Sequence, residues 1–121
     1  MSIDKHYYVV AGYDLTKYKT EIYEDWQWTT DGESYRYNQV VGNIQLFDDP
    51  MNDNYLYLGY ILACGDEYCF NTQTFTVRDV SNHQADVLGA LIELQDMGVI
   101  SDSLNSPSQL EYKIIVFEED T

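Results

Sequence analysis

Residues 55–64, YLYLGYILAC, carry apolar side chains on both faces of an extended chain. Such a run is typical of a strand in the middle of a sheet, where both faces are covered. Residues 65–68 (GDEY) form a short Gly-containing connection to residues 69–77 (CFNTQTFTV), which are rich in β-branched and aromatic side chains. Two such segments joined in this way predict a β-hairpin. The fold is therefore expected to centre on an antiparallel sheet.

The same composition predicts further strands on both sides of this hairpin. They are residues 6–13 (HYYVVAGY), 22–28 (IYEDWQW), 35–37 (YRY), 40–47 (VVGNIQLF) and 110–117 (LEYKIIVF). Asp31-Gly32 predicts a hairpin turn between the second and third of these. In residues 110–117, alternation places Leu110, Tyr112, Ile114 and Val116 on one side of the strand.

One helix is predicted over residues 81–97. Its apolar face has helical periodicity and consists of Val87, Leu88, Leu91 and Leu94, flanked by Ile92. Ser81 or Asn82 is the expected N-cap, and Gly98 is the expected end signal. The pattern predicts an α+β fold over residues 1–121 as a single domain: an antiparallel β-sheet meander of about five to six strands, with this amphipathic helix on one face.

The net charge of the chain is unusually negative for its size. There are 21 Asp and Glu against 6 Lys and Arg, which gives a formal net charge of -15. A small domain usually carries a net charge of magnitude about 2–8. The excess disfavours direct binding to nucleic acids and to anionic membranes, because both need clustered Lys and Arg. It favours association with positively charged partners.

The sequence offers no signal peptide and no membrane span. Residues 1–5 (MSIDK) precede no apolar core, and no window approaches the roughly 18 apolar residues of a span. A cytoplasmic location is therefore expected, the bacterial host cytoplasm if a phage encodes the chain. Its two cysteines are then reduced by default. Because Cys64 and Cys69 flank the predicted hairpin loop, a disulfide between them is the alternative.

No catalytic or metal-binding motif is present. His6 and His83 have no Ser, Cys or Asp in a recognisable nucleophile–base arrangement. The acidic loop of residues 48–54 lacks the alternating ligand pattern and closing Glu of a calcium loop. No phosphate-binding Gly-rich loop occurs. We therefore predict a protein that is not an enzyme and that has no cofactor and no metal site.

The acidic residues are grouped rather than evenly spread. Asp86, Gly89, Glu93 and Asp96 share one stripe of the predicted helix, about 15 Å long. A rigid scaffold that presents carboxylates in this way can occupy a basic cleft evolved for phosphates, with tyrosines as anchors that stack on arginines. The predicted partner-binding residues are Asp48, Asp49, Asp53, Asp66, Glu67, Asp86, Glu93 and Asp96, with Tyr55 and Tyr68 as aromatic anchors. A plain soluble acidic surface is the alternative.

A small, acidic, Tyr-rich and Lys-poor α+β chain without catalytic motifs resembles the phage-encoded inhibitors of host defence. This class comprises anti-CRISPR and anti-restriction proteins and uracil-DNA glycosylase inhibitors, many of them DNA mimics. The resemblance lies in size, charge and composition. It implies a basic protein partner, such as a CRISPR effector nuclease blocked at its DNA- or PAM-binding surface. A non-enzymatic phage structural or regulatory interaction module is the first alternative. A small-molecule-binding protein or an enzyme of another type is the second.

Overall fold

The computed structural model describes residues 5–37, 44–49, 55–66, 74–101 and 110–120. Four strands form one sheet: β1 (Lys5–Asp14), β2 (Ile44–Asp48), β3 (Leu56–Asp66) and β4 (Lys113–Asp120). Four helical segments accompany them: α1 (Tyr23–Gln27), α2 (Thr30–Tyr37), α3 (Val77–Asn82) and α4 (Gln84–Asp96). The predicted α+β class is confirmed.

The sheet has the strand order β2-β3-β1-β4, and all neighbours are antiparallel. The described residues thus form four strands, fewer than the five to six predicted. Nor is the sheet a simple meander, because β1 lies between β3 and β4. The prediction that residues 55–64 form a central strand is confirmed, since β3 is paired on both sides. Residues 40–43 of the predicted fourth strand lie outside the described ranges.

Two predicted strands are helices. Residues 22–28 were expected to be extended because they are aromatic, but α1 buries Tyr23 and Trp26, which are three residues apart. That spacing directs both rings to one side only in a helix. The Asp31-Gly32 hairpin is also wrong, as is the short strand after it, because this stretch forms α2. Thr29 caps α2 by accepting a hydrogen bond from the Gly32 N–H at 3.2 Å.

The second half of the predicted hairpin differs as well. Residues 69–73 lie outside the described ranges, residues 74–76 are not extended into a strand, and Val77 begins α3. Thr76 caps α3 in a reciprocal capping box with Asp79, so Ser81 and Asn82 are not the caps. The helix bends at His83 and continues as α4. α4 ends at Asp96 with Met97 as its C-cap, and the predicted end signal Gly98 follows with a φ of 76°, which favours glycine.

Each face of the sheet carries its own core. On one face, α1, α2 and α4 cover an apolar cluster that includes Leu46, Leu58, Leu91 and Leu94. On the other face lies a smaller cluster of Val10, Phe47 and Ile115 with surrounding aromatic rings. Neighbouring residues along β2 and β3 alternate between the two clusters, as the pleat requires. The helices therefore form a layer over one side of the sheet.

Strand β4 is the last strand in the order and its two sides differ. Ile114 and Val116 share a side, as the alternation predicts, and are 45% and 73% exposed. Ile115, on the other side, is buried against Val10. The helical layer does not extend over this part of β4.

Candidate partner-binding surface

The predicted acidic stripe exists on the outer side of α4. Asp86, Glu93 and Asp96 are all exposed, and nothing lies within 4 Å of the position that a Cβ on Gly89 would occupy. The opposite side of α4 buries Val87, Ala90, Leu91 and Leu94. Ile92, predicted to flank the apolar face, is 42% exposed. The fixed direction of the apolar face is what holds the carboxylates outward.

The two helices that the sequence did not predict add to this acidic surface. α1 and α2 carry Glu24, Asp25 and Glu33, all exposed. Within α1, α2 and α4, the sequence has seven acidic residues and one basic residue, Arg36. We call Glu24, Asp25, Glu33, Asp86, Glu93 and Asp96 the acidic helical face.

Specific contacts hold the three helices of this face together. The Tyr35 hydroxyl of α2 donates to Glu93 Oε2 of α4 at 2.6 Å. The Thr20 hydroxyl, just before α1, donates to the Gly98 carbonyl just after α4 at 2.6 Å. The Trp26 and Tyr35 rings pack at 5.8 Å between centroids. These contacts link the three helices into one packed layer.

Other predicted site residues lie elsewhere. Asp48 is only 7% exposed, and its Oδ2 accepts a 3.0 Å hydrogen bond from the Tyr23 hydroxyl, so this carboxylate links β2 to α1 inside the fold. Asp49 is half-buried, and its N–H donates to the Tyr55 carbonyl at 3.3 Å. Asp53, Glu67, Tyr68 and the Asp66 side chain lie outside the described part of the chain.

Tyr55 belongs to the opposite face of the sheet. Its ring stacks on Tyr57 at 4.9 Å and packs against Phe117 at 5.6 Å. Phe117 in turn contacts Phe47 at 5.2 Å and Tyr8 at 5.4 Å. The sheet thus separates this predicted anchor from the acidic helical face, so the two do not form one contact surface.

An aromatic residue that the sequence did not single out does lie on the helical layer. Trp28, the C-cap residue of α1, is 66% exposed. Ile22, at the other end of α1, is 48% exposed, and Met97 at the end of α4 is 37% exposed. The Ile22 side chain lies 3.3 Å from where a Cβ on Gly98 would stand, so these apolar groups border both helices. A helical reading of residues 22–28 would have revealed Trp28 opposite Tyr23 and Trp26.

A groove of about 440 Å³ lies at one end of the sheet, lined by residues that include Asp14, Lys17, Tyr18, Tyr57 and Lys113. Burial, with a further contribution from Asp14, raises the pKa of Tyr57. Tyr57 therefore stays protonated at neutral pH. The residues lining the groove include neither histidine nor cysteine.

The histidines and Cys64 have structural surroundings. His6 is half-buried on β1, and the His83 ring stacks on Tyr60 at 3.5 Å where the helix bends. Cys64 is exposed and pairs with Tyr8 across the β1–β3 ladder. Cys69 lies outside the described residues, so the reduced pair stays a prediction and the disulfide stays its alternative. No group of three or more His, Cys, Asp and Glu suited to a metal ion occurs among the described side chains.

Comparisons with protein-family models, with curated proteins and with solved structures find no match to this chain. Within the described ranges, no helix is both long enough and apolar enough to cross a membrane. Function must therefore be argued from the surfaces themselves.

Proposed function

We propose that this protein is an acidic inhibitor that binds a basic nucleic-acid enzyme, such as a CRISPR effector nuclease, and blocks the surface on which that enzyme holds DNA. The acidic helical face carries this proposal. It presents exposed carboxylates from three helices on a packed scaffold. Such a surface complements a cleft lined with Lys and Arg in the way that duplex phosphates do.

The geometry of α4 agrees with this role. Asp86, Glu93 and Asp96 lie along about 15 Å of helix at 1.5 Å rise per residue. Because their backbone is fixed by buried neighbours, binding would order few groups beyond the side chains themselves. Charge attraction of this kind mainly accelerates association and weakens with salt, because exposed charges are screened within about 8–10 Å at physiological ionic strength.

A pull-down from a bacterial lysate that contains a CRISPR effector tests the proposal. The tagged protein is eluted in a salt series and, separately, with duplex DNA, and the eluates are identified by mass spectrometry. We expect a basic nucleic-acid enzyme that moderate salt releases and DNA displaces, and whose DNA binding the purified protein inhibits. Recovery of the tagged protein alone, or of a partner indifferent to salt and DNA, would refute the proposal.

Two double variants with the same change in net charge locate the contact. Asp86→Asn with Asp96→Asn neutralises the acidic helical face, and Glu111→Gln with Glu118→Gln neutralises exposed positions at and just before β4. We expect the helical double variant to associate with the captured enzyme on the order of fivefold more slowly, and the control to associate nearly as fast as the parent. Equal slowing by both variants would mean that only net charge matters.

A second candidate function is an interaction module that associates through the sheet edge. The exposure of Ile114 and Val116 on the outermost strand β4 favours it, because exposed apolar residues on an edge strand invite strand pairing. Sedimentation velocity over a range of concentrations tests it. A dimer that persists in high salt and is lost in Val116→Lys would support this function, whereas a monomer at all concentrations would exclude self-association through this edge.

A further inference from the structure

Trp28 is held at the end of α1 by the backbone. Its N–H donates to the Asp25 carbonyl at 3.4 Å and caps the helix. The adjacent Thr29 hydroxyl donates to the Trp26 carbonyl at 2.7 Å and accepts from the Gly32 N–H. The residue therefore lies in an ordered corner between α1 and α2, and yet two thirds of its surface faces solvent.

Carboxylates surround Trp28 at helical spacing. Asp25 and Glu24 precede it by three and four residues, so both lie on its side of the helix, and Glu21 lies just before α1. All three are exposed, whereas Tyr23 and Trp26 on the other side are buried in the core. The outer side of α1 thus combines one large aromatic surface with an acidic rim.

These two features together select the occupant. A purely apolar partner group would leave the flanking carboxylates without compensation. A second copy of this chain would bring its own excess of negative charge, part of a net charge of -15, against the same rim. An arginine satisfies both features, because its planar guanidinium stacks on an indole while its N–H fork pairs with a carboxylate.

We infer that Trp28, with Glu24 and Asp25, is an anchor that binds an arginine side chain of the partner's basic surface. The inference rests on the proposed function and deepens it: the acidic helical face supplies general charge attraction, and Trp28 selects arginine over lysine. Because the guanidinium is planar and weakly hydrated, it gains more from stacking than a compact ammonium does.

Nona-arginine and nona-lysine peptides are the probes, since they carry equal charge and differ in the group that stacks. Their binding to the full chain is measured at low salt by titration of two-dimensional NMR spectra, with the indole N–H signal of Trp28 as reporter. We expect the parent to prefer nona-arginine. Trp28→Ala should weaken nona-arginine binding by about three- to tenfold and change nona-lysine binding little. Trp28→Phe should bind nona-arginine with an affinity between those of the parent and of Trp28→Ala.

Val77→Ala is the matched control, because Val77 is an 87% exposed apolar side chain on α3. It should leave the ratio of the two affinities unchanged. A Trp28→Ala chain whose spectrum keeps the signals of the buried core is folded. If its ratio of nona-arginine to nona-lysine affinity equals that of the parent, the anchor is refuted. Trp28→Phe serves the same purpose if Trp28→Ala does not fold.

Failure of the anchor and failure of the proposed function give different results. The Asp86/Asp96 double variant could weaken the binding of both peptides while Trp28→Ala leaves the ratio of the nona-arginine and nona-lysine affinities unchanged. That result would support charge attraction and refute the arginine anchor. If instead the ratio depends on Trp28, but no captured enzyme is displaced by DNA, the arginine anchor stands and the partner is a basic protein of another kind.

Discussion

Two helical glycines should respond in opposite ways to the same substitution. Gly32 lies in α2 and Gly89 lies in α4. In a helix interior, alanine is favoured over glycine by about 1 kcal/mol. A Cβ on Gly89 would meet nothing within 4 Å, so Gly89→Ala should raise the free energy of unfolding by about 0.5–1 kcal/mol.

In Gly32→Ala, the added Cβ would clash with backbone atoms, whereas in Gly89→Ala it enters open space. A Cβ on Gly32 would stand 2.2 Å from the Trp26 carbonyl oxygen and 2.6 Å from the Gln27 Cα. Backbone atoms cannot rotate away, so α1 and α2 must separate. Overpacking of this kind costs about 1–3 kcal/mol, and the upper end applies here because no flexible side chain absorbs the strain. After the gain in helix propensity, we expect a net loss of about 2 kcal/mol.

Urea denaturation followed by circular dichroism and tryptophan fluorescence measures both values, with equal slopes as the check on two-state behaviour. The Gly89→Ala variant is the internal control for helix propensity. The packing of α1 against α2 would be refuted if Gly32→Ala stabilised the protein as much as Gly89→Ala does. It would also be refuted if residues 29–34 formed a solvent-exposed hairpin, which cross-strand NOEs would reveal.

Three further perturbations test the fold. Asp48→Ala removes the carboxylate that accepts the hydrogen bond of the buried Tyr23 hydroxyl and should lower the free energy of unfolding by about 1.5–3 kcal/mol, measured by urea denaturation beside Tyr23→Phe, which should cost less. Burial, and then the charge of a neighbouring tyrosine, raise the pKa of Tyr112 to about 12. Since its unfolded value is about 10, its contribution is complete below pH 10 and is lost as the pH rises through 12. Urea titrations between pH 9 and 12 should show a smaller loss in Tyr112→Phe than in the parent, and an equal loss would contradict this account. Thr76→Ala removes the cap of α3 and should speed amide hydrogen exchange there with little effect on the sheet; unchanged exchange would contradict the capping role.

The pattern of residues within one segment was sufficient to predict an element correctly where that element buries the same side along its whole length. Residues 55–64 are apolar on both sides, and β3 is paired on both sides. The periodicity of Val87, Leu91 and Leu94 set the core-facing side of α4, and with it the outward direction of Asp86, Glu93 and Asp96. Gly98 marked the end of this helix because a left-handed conformation is needed there.

Local pattern failed for residues 22–37, and the failure concealed Trp28. Aromatic residues favour strands on average, but that preference is weak and yields to packing. Tyr23, Trp26 and Tyr35 are all buried in the core cluster that also contains the apolar side of α4. Asp31-Gly32 resembles a hairpin turn, but Thr29 supplies a helix cap and Gly32 permits a close approach to α1.

The sequence by itself determined the α+β class, the central strand, the apolar side of α4 and the excess of negative charge, because each of these depends on composition or on spacing within one segment. Only the tertiary structure decided which carboxylates share a surface. It buried Asp48 beside Tyr23, placed Tyr55 behind the sheet and joined α2 to α4 through the hydrogen bond between Tyr35 and Glu93. Such groupings arise from contacts between residues far apart in the chain, and no local pattern encodes them.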